Sequence, residues 1–198
     1  MPSNSSINYK DSYFEHPVLT EICGEPTYET LNHLKKELKA NARSVQTTLG
    51  GGNHGYLGMI LTTAEYRRIA PTYPFTWPPN PGVLVPNPRP NCKHRKHASL
   101  NKKLYLDTLL LEKTFIKQII EAIDNKYLAA LRNPINGQIT PLVPIILKFL
   151  HNNYGRITPK QLEDKTTTIK SMIYDPAQPI DIIFNTINDL VEYVRAAK

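Results

Sequence analysis

Residues 179–194 read PIDIIFNTINDLVEYV. Ile180, Ile183, Phe184, Ile187, Leu190, Val191 and Val194 recur at three- and four-residue steps. That is the period of one helix face, so the stretch predicts an amphipathic helix entered near Pro179. Upstream, Thr158-Pro159-Lys160-Gln161 supplies a hydroxyl N-cap, a proline in the first turn and a glutamine at the capping-box position. The helix it starts runs to about residue 173 and is broken by Asp175-Pro176. Thr140-Pro141 gives the same kind of start for a helix over roughly 141–153, with Leu142, Ile145, Ile146, Phe149 and Leu150 on its apolar side and Gly155 closing it. Pro144 is tolerated there because it lies in the first turn.

Before these, Ile116, Ile119, Ile120, Ile123 and Tyr127 fall at i, i+3, i+4, i+7 and i+11. They predict a long helix over about residues 100–131, ended by the turn signals Asn133-Pro134 and Asn136-Gly137. The three helices of residues 141–194 are joined by short connections, and none can bury its stripe alone. They are expected to pack together, which makes the class all-α and assigns residues 104–198 to a helical bundle.

The N-terminal half is less regular. Residues 1–25 are polar with scattered aromatics (Tyr9, Tyr13, Phe14) and read as an extended, partly ordered tail. Residues 26–103 form a second region. Leu31, Leu34, Leu38 and Ala42 predict a helix over about 27–44 that stops before Gly50-Gly51-Gly52. Residues 56–61 are an apolar run whose type periodicity leaves open. Thr62 and Glu65 form a capping box for a short helix over about 63–69, ended by Pro71. Residues 71–90 then hold eight of the seventeen prolines, which forbid regular helix or central strand. Phe75 and Trp77 among them imply an irregular arm that lies against the fold and runs into a basic loop.

A chain of 198 residues can bury about two-thirds of its unfolded surface without staples. Two cysteines, Cys23 and Cys92, are too few for a disulfide framework or a four-cysteine zinc site, and they suit a reducing compartment. No apolar run follows Met1-Pro2-Ser3-Asn4, position 2 is not glycine, and no stretch reaches the length of a membrane span. A cytoplasmic location without membrane attachment is expected.

Four constellations invite a chemical reading. Residues 50–55, GGGNHG, match G-x-G-x-x-G, but a helix precedes them and neither the flanking strand nor a Lys-Ser/Thr ending is present. A close-packed turn is the expected use. Cys92, His94 and His97 lie within six residues, yet a structural zinc needs four ligands, so no metal and no cofactor are expected. No nucleophile elbow, Asp-Thr/Ser-Gly loop or convergent acid, base and nucleophile is found, so no catalytic residue is assigned and no small-molecule substrate is expected. The fourth is charge. The formal net charge is +7, and Arg89, Lys93, Arg95, Lys96, Lys102 and Lys103 nearly supply it, with no acidic residue between them. Such a segment suits a polyanion, RNA first, held through phosphate without reading sequence. Tyr105 just beyond can stack on a base or pack in the core.

The order of several motifs resembles the Gag polyprotein of copia-type LTR retrotransposons. The residues are Glu25-Pro26-Thr27-Tyr28-Glu29-Thr30-Leu31, then Leu38-Lys39-Ala40-Asn41-Ala42-Arg43-Ser44-Val45, then Thr48 through Gly58 around the glycine run. Asn125-Lys126-Tyr127-Leu128, Tyr154-Gly155-Arg156-Ile157-Thr158-Pro159, Tyr174-Asp175-Pro176 and Pro179-Ile180-Asp181 follow in the same order. The resemblance implies a non-enzymatic structural protein with the fold of a capsid N-terminal domain, assembling with itself into virus-like particles that enclose RNA. Members of that family usually continue into a second capsid domain and often a Cys-x-x-Cys knuckle. Residues 1–198 contain neither, which leads us to expect a fragment, a processed product, or a truncated or domesticated copy. Residues 87–103 are also more basic than the family pattern, so RNA contact there is read from charge. The competing reading is a monomeric, basic RNA-binding adapter that forms no particle.

Overall fold

The computed structural model describes residues 13–82, 92–173 and 175–197, with backbone alone over 92–99. Among the described residues there are seven α-helices, no strand, and two isolated backbone bridges. The all-α expectation holds.

Helix α1, Tyr28–Ser44, starts where the threonines of its first turn cap each other. The Thr30 N–H donates to Thr27 Oγ1, and the Thr27 N–H donates to Thr30 Oγ1 at 2.8 Å. Its inward face is Leu31, Leu34, Leu38 and Ala42, all essentially without exposure. Helix α2, Thr63–Ile69, carries the expected capping box, with the Thr62 N–H donating to Glu65 Oε2 at 2.8 Å. Between α1 and α2, Gly50, Gly51, Gly52 and Gly55 all have positive φ. A Cβ on Gly50 would overlap the Tyr66 hydroxyl, and one on Gly51 would overlap the Tyr73 ring. The glycine run is therefore a turn against which two tyrosines pack.

Helix α3, Cys92–Ala122, departs from expectation at both ends. It begins eight residues earlier than the periodicity suggested. The segment from Cys92 to Lys103 contains no Gly, Pro or β-branched residue, so nothing in it opposes a helix that the core already anchors downstream. It also ends at Ala122 rather than near residue 131. There the Ala122 carbonyl accepts the Ile22 N–H at 2.8 Å, and Asp124 caps a new short helix, α4, Asn125–Leu128. Lys93, Arg95 and Lys96 accordingly lie on the same helix as Lys102 and Lys103 and not on a loop.

Helix α5, Val143–Tyr154, starts two residues later than Thr140-Pro141 implied. Its first N–H is capped from a distance, donating from Val143 to Glu112 Oε1 at 2.9 Å. Helices α6, Pro159–Lys170, and α7, Asp181–Ala196, complete the chain, and the Thr158–Gln161 capping box forms as read.

The main core joins α1, α3 and α5 through Leu31, Leu38, Leu111, Phe115, Ile146 and Leu150. It thus draws on both sides of residue 103. Residues 14–22 are a strap bound across it, and residues 1–12 of the expected tail lie outside the described residues. Phe14 stacks on Phe115 with ring centroids 5.4 Å apart. Buried Asn41 exchanges two hydrogen bonds with the His16 backbone, at 2.7 and 2.8 Å, and buried Gln118 donates to the carbonyls of His16 and Pro17. Glu37, also buried, accepts from the Thr20 N–H and hydroxyl. Each polar side chain here satisfies strap backbone that the core would otherwise leave without a partner. The proline arm over residues 71–82 is irregular, and Phe75 and Trp77 lean half-buried on the core as expected.

The expected three-helix bundle of residues 141–194 does not form. Helix α5 belongs to the core with α1 and α3, whereas α6 and α7 pair with each other at the periphery. No residue of α6 is buried, and on α7 only Tyr193 is.

Candidate functional site

Two surfaces stand apart from ordinary solvated helix. The first is α7. Ile180 is 55% exposed, Phe184 57%, Ile187 44% and Val191 41%. Their spacing of four, three and four residues forms one narrow stripe, the pattern of a two-helix seam. Ile183, Leu190 and Val194 are half-buried, and α7 packs on α6. The result is one half-buried stripe and one stripe facing solvent, with Ile182, 44% exposed, outside both. A continuous apolar patch left in water is the usual mark of an interface.

Helix α7 meets α1 around Tyr193 and Asp189. Tyr193 meets Tyr28 edge-on at 5.3 Å, and the Lys165 ammonium lies 5.0 Å from the Tyr193 ring centre. Lys165 also pairs with Glu29, and Lys36 with Asp189 at 3.4 Å. Burial, then the nearby Glu29 carboxylate, push the Tyr193 phenol up from its ordinary range. Phe184 and Ile187 take no part in this attachment, so the seam is free to meet another surface.

The second surface is the outer side of α3. The first buried side chain along the described part of that helix is Thr108. Lys102 and Lys103 are exposed one to two turns before it. Lys113 and Lys117 continue the same side, opposite buried Leu111, Phe115 and Ala122. Lys117 also pairs with Glu121 at 3.7 Å. Lys113 and Lys117 were missed in the sequence because the charge count stopped at residue 103. Their eleven- and fifteen-residue spacing from Lys102 was the available signal. Lys93, Arg95 and Lys96 are placed by backbone only, and Arg89 lies outside the described residues. Tyr105 is half-buried.

A third feature is a cleft of about 290 Å³ between α2, the proline arm and the start of α5. Tyr66, Phe75, Trp77, Leu142 and Pro144 line it, with Arg67 at its edge. Its lining brings no acid and base together. Glu112, 6% exposed, is a buried carboxyl of α3. Burial pushes it up to about 7, partly offset by the Val143 N–H, and its Oε2 has no hydrogen-bond partner. Glu65 shows the opposite balance. Burial would raise it, but the hydrogen bonds from Lys35 at 2.7 Å and from Thr62 outweigh burial and hold it down at about 2.

Among the described residues no three His, Cys, Asp or Glu side chains gather as metal ligands. The side chains of Cys92, His94 and His97 lie outside that set. No helix of the described residues is long and apolar enough to cross a membrane. Comparison with protein-family models, with curated proteins and with solved structures finds no match.

Proposed function

We propose that this chain is a structural, non-enzymatic subunit that associates with copies of itself and holds RNA, as expected of a retrotransposon Gag capsid segment. The observation that carries the reading is the solvent-facing apolar stripe of α7, on a helix whose one buried residue is Tyr193. An amphipathic helix with an open apolar stripe lowers its free energy when a second surface covers it. The motif order shared with copia-type Gag supports the same conclusion, and so does the lysine-bearing side of α3, which suits phosphate contacts. Cytoplasmic virus-like particles enclosing RNA are the assembly this reading implies.

Light scattering over a concentration series, then negative-stain microscopy with and without RNA, tests the proposal. Growth of large particles with concentration is the expected result. A chain that stays monomeric at high concentration, alone and with RNA, refutes it. A second reading, a monomeric RNA-binding adapter, is favoured by exposed Lys102, Lys103 and Lys113 on one helix. It predicts one-to-one complexes with RNA and no particles.

A further inference from the structure

We infer that α7 pairs antiparallel with α7 of a second copy of this chain, about a two-fold axis near Ile187; the inference rests on the self-association proposed above. Ile180, Phe184, Ile187 and Val191 occupy the seam, and their 4-3-4 spacing keeps it straight along the helix. Each of these half-exposed side chains leaves on the order of 100 Å² uncovered, so the seam offers on the order of 400 Å² per copy. A standard interface buries about 800 Å² per partner. The pair therefore falls in the small, transient class.

The flanking residues decide the direction. On the exposed side of the seam, Asp181, Asn188 and Arg195 recur every seven residues. Ile183, Leu190 and Ala197 take the equivalent places on its half-buried side. In a parallel pair each flank meets the opposite flank of its neighbour, so Arg195 and Asp181 would face apolar residues. In an antiparallel pair like flanks meet. Asp181 then lies beside Arg195 of the second copy at both ends, and the two Asn188 side chains meet in the middle. Antiparallel packing also places the positive end of each helix dipole beside the negative end of the other. Among the described residues neither Asp181 nor Arg195 forms an ion pair within its own chain, so both are available for this contact.

Sedimentation analysis of the full chain tests the pairing, with thermal melts by circular dichroism as the folding control. Phe184→Asp is expected to weaken association at least tenfold and leave the melt of the dilute monomer unchanged. Asp181→Arg and Arg195→Asp place like charges together, and each is expected to weaken association roughly threefold to tenfold. Combining both in one chain restores opposite charges and returns association to within about twofold of the parent. A Phe184→Asp chain that associates like the parent overturns the pairing alone. So does a double variant weaker than either single one, which would mean a parallel or unlike contact. A parent chain that never associates overturns the pairing and the proposed function together.

Discussion

Glu112 reaches from α3 to the first N–H of α5, and it does so as a buried carboxyl with one oxygen unpartnered. Burial raises it from an ordinary 4.5 to about 7. The native state therefore keeps a proton that the unfolded chain releases at lower pH. Between about pH 4.5 and pH 7 the native state binds more protons, so stability falls as pH rises through that window. The interval corresponds to about 3 kcal/mol, fully lost above pH 7. That is a large share of the ~5–15 kcal/mol that stabilises a domain.

Glu112→Gln removes the titration and keeps an acceptor for the Val143 N–H. At acid pH the variant is expected to be less stable by about 1–2 kcal/mol, because its amide N–H groups meet no acceptor. By about pH 8 the order reverses. Urea unfolding at about pH 4 and about pH 8, for parent and variant, gives the difference directly. Histidine titrations are common to both chains and cancel. A parent-minus-variant difference that moves by about 3 kcal/mol between the two conditions is expected. A difference independent of pH would show that the Glu112 carboxyl is solvated, and the reasoning fails.

Further outcomes follow from burial and backbone geometry. Leu38→Ala should cost about 2–5 kcal/mol in urea unfolding, whereas Ile187→Ala should cost the monomer under ~0.5, because one side chain is fully buried and the other nearly half exposed. Gly55→Ala should destabilise by at least about 2 kcal/mol by the same assay, since its φ is +53° and a Cβ would press on the carbonyls of Ala42, Arg43 and Val45. Lys102→Ala with Lys103→Ala should lower the slope of log affinity against log salt for single-stranded RNA by about 0.7 per lysine, read by fluorescence anisotropy. An unchanged slope would remove this side of α3 from the RNA surface.

The signals that translated directly into structure were local ones. Thr62 with Glu65 and Thr158 with Gln161 each formed the capping box that their spacing implied. A cap is decided within four residues and needs no distant partner. The leucine stripe of α1 was equally legible, as was the proline arm that denies its residues a helix. Where the reading failed, a distant group decided. The Thr140-Pro141 start was displaced because Glu112 of another helix caps Val143. The single long helix was cut at Ala122 because Ile22 takes its carbonyl. Residues 14–22 became a strap because Asn41, Gln118 and Glu37 wait inside the core for their backbone. The candidate surfaces divide in the same way. The basic cluster was visible as composition, and helical spacing signalled its continuation through Lys113 and Lys117, but the placement of Lys93, Arg95 and Lys96 on that same helix was not legible.

Residues 179–194 illustrate the division. Their sequence by itself determined a helix and made it apolar on more than one side, because side-chain spacing sets which residues share a face. It could not determine which face would be covered, since burial depends on elements remote in the chain. The tertiary structure decided that α1, α3 and α5 fill the core between them, so that α7 meets α1 through Tyr193 and the Lys36–Asp189 ion pair. Ile180, Phe184, Ile187 and Val191 are left facing water.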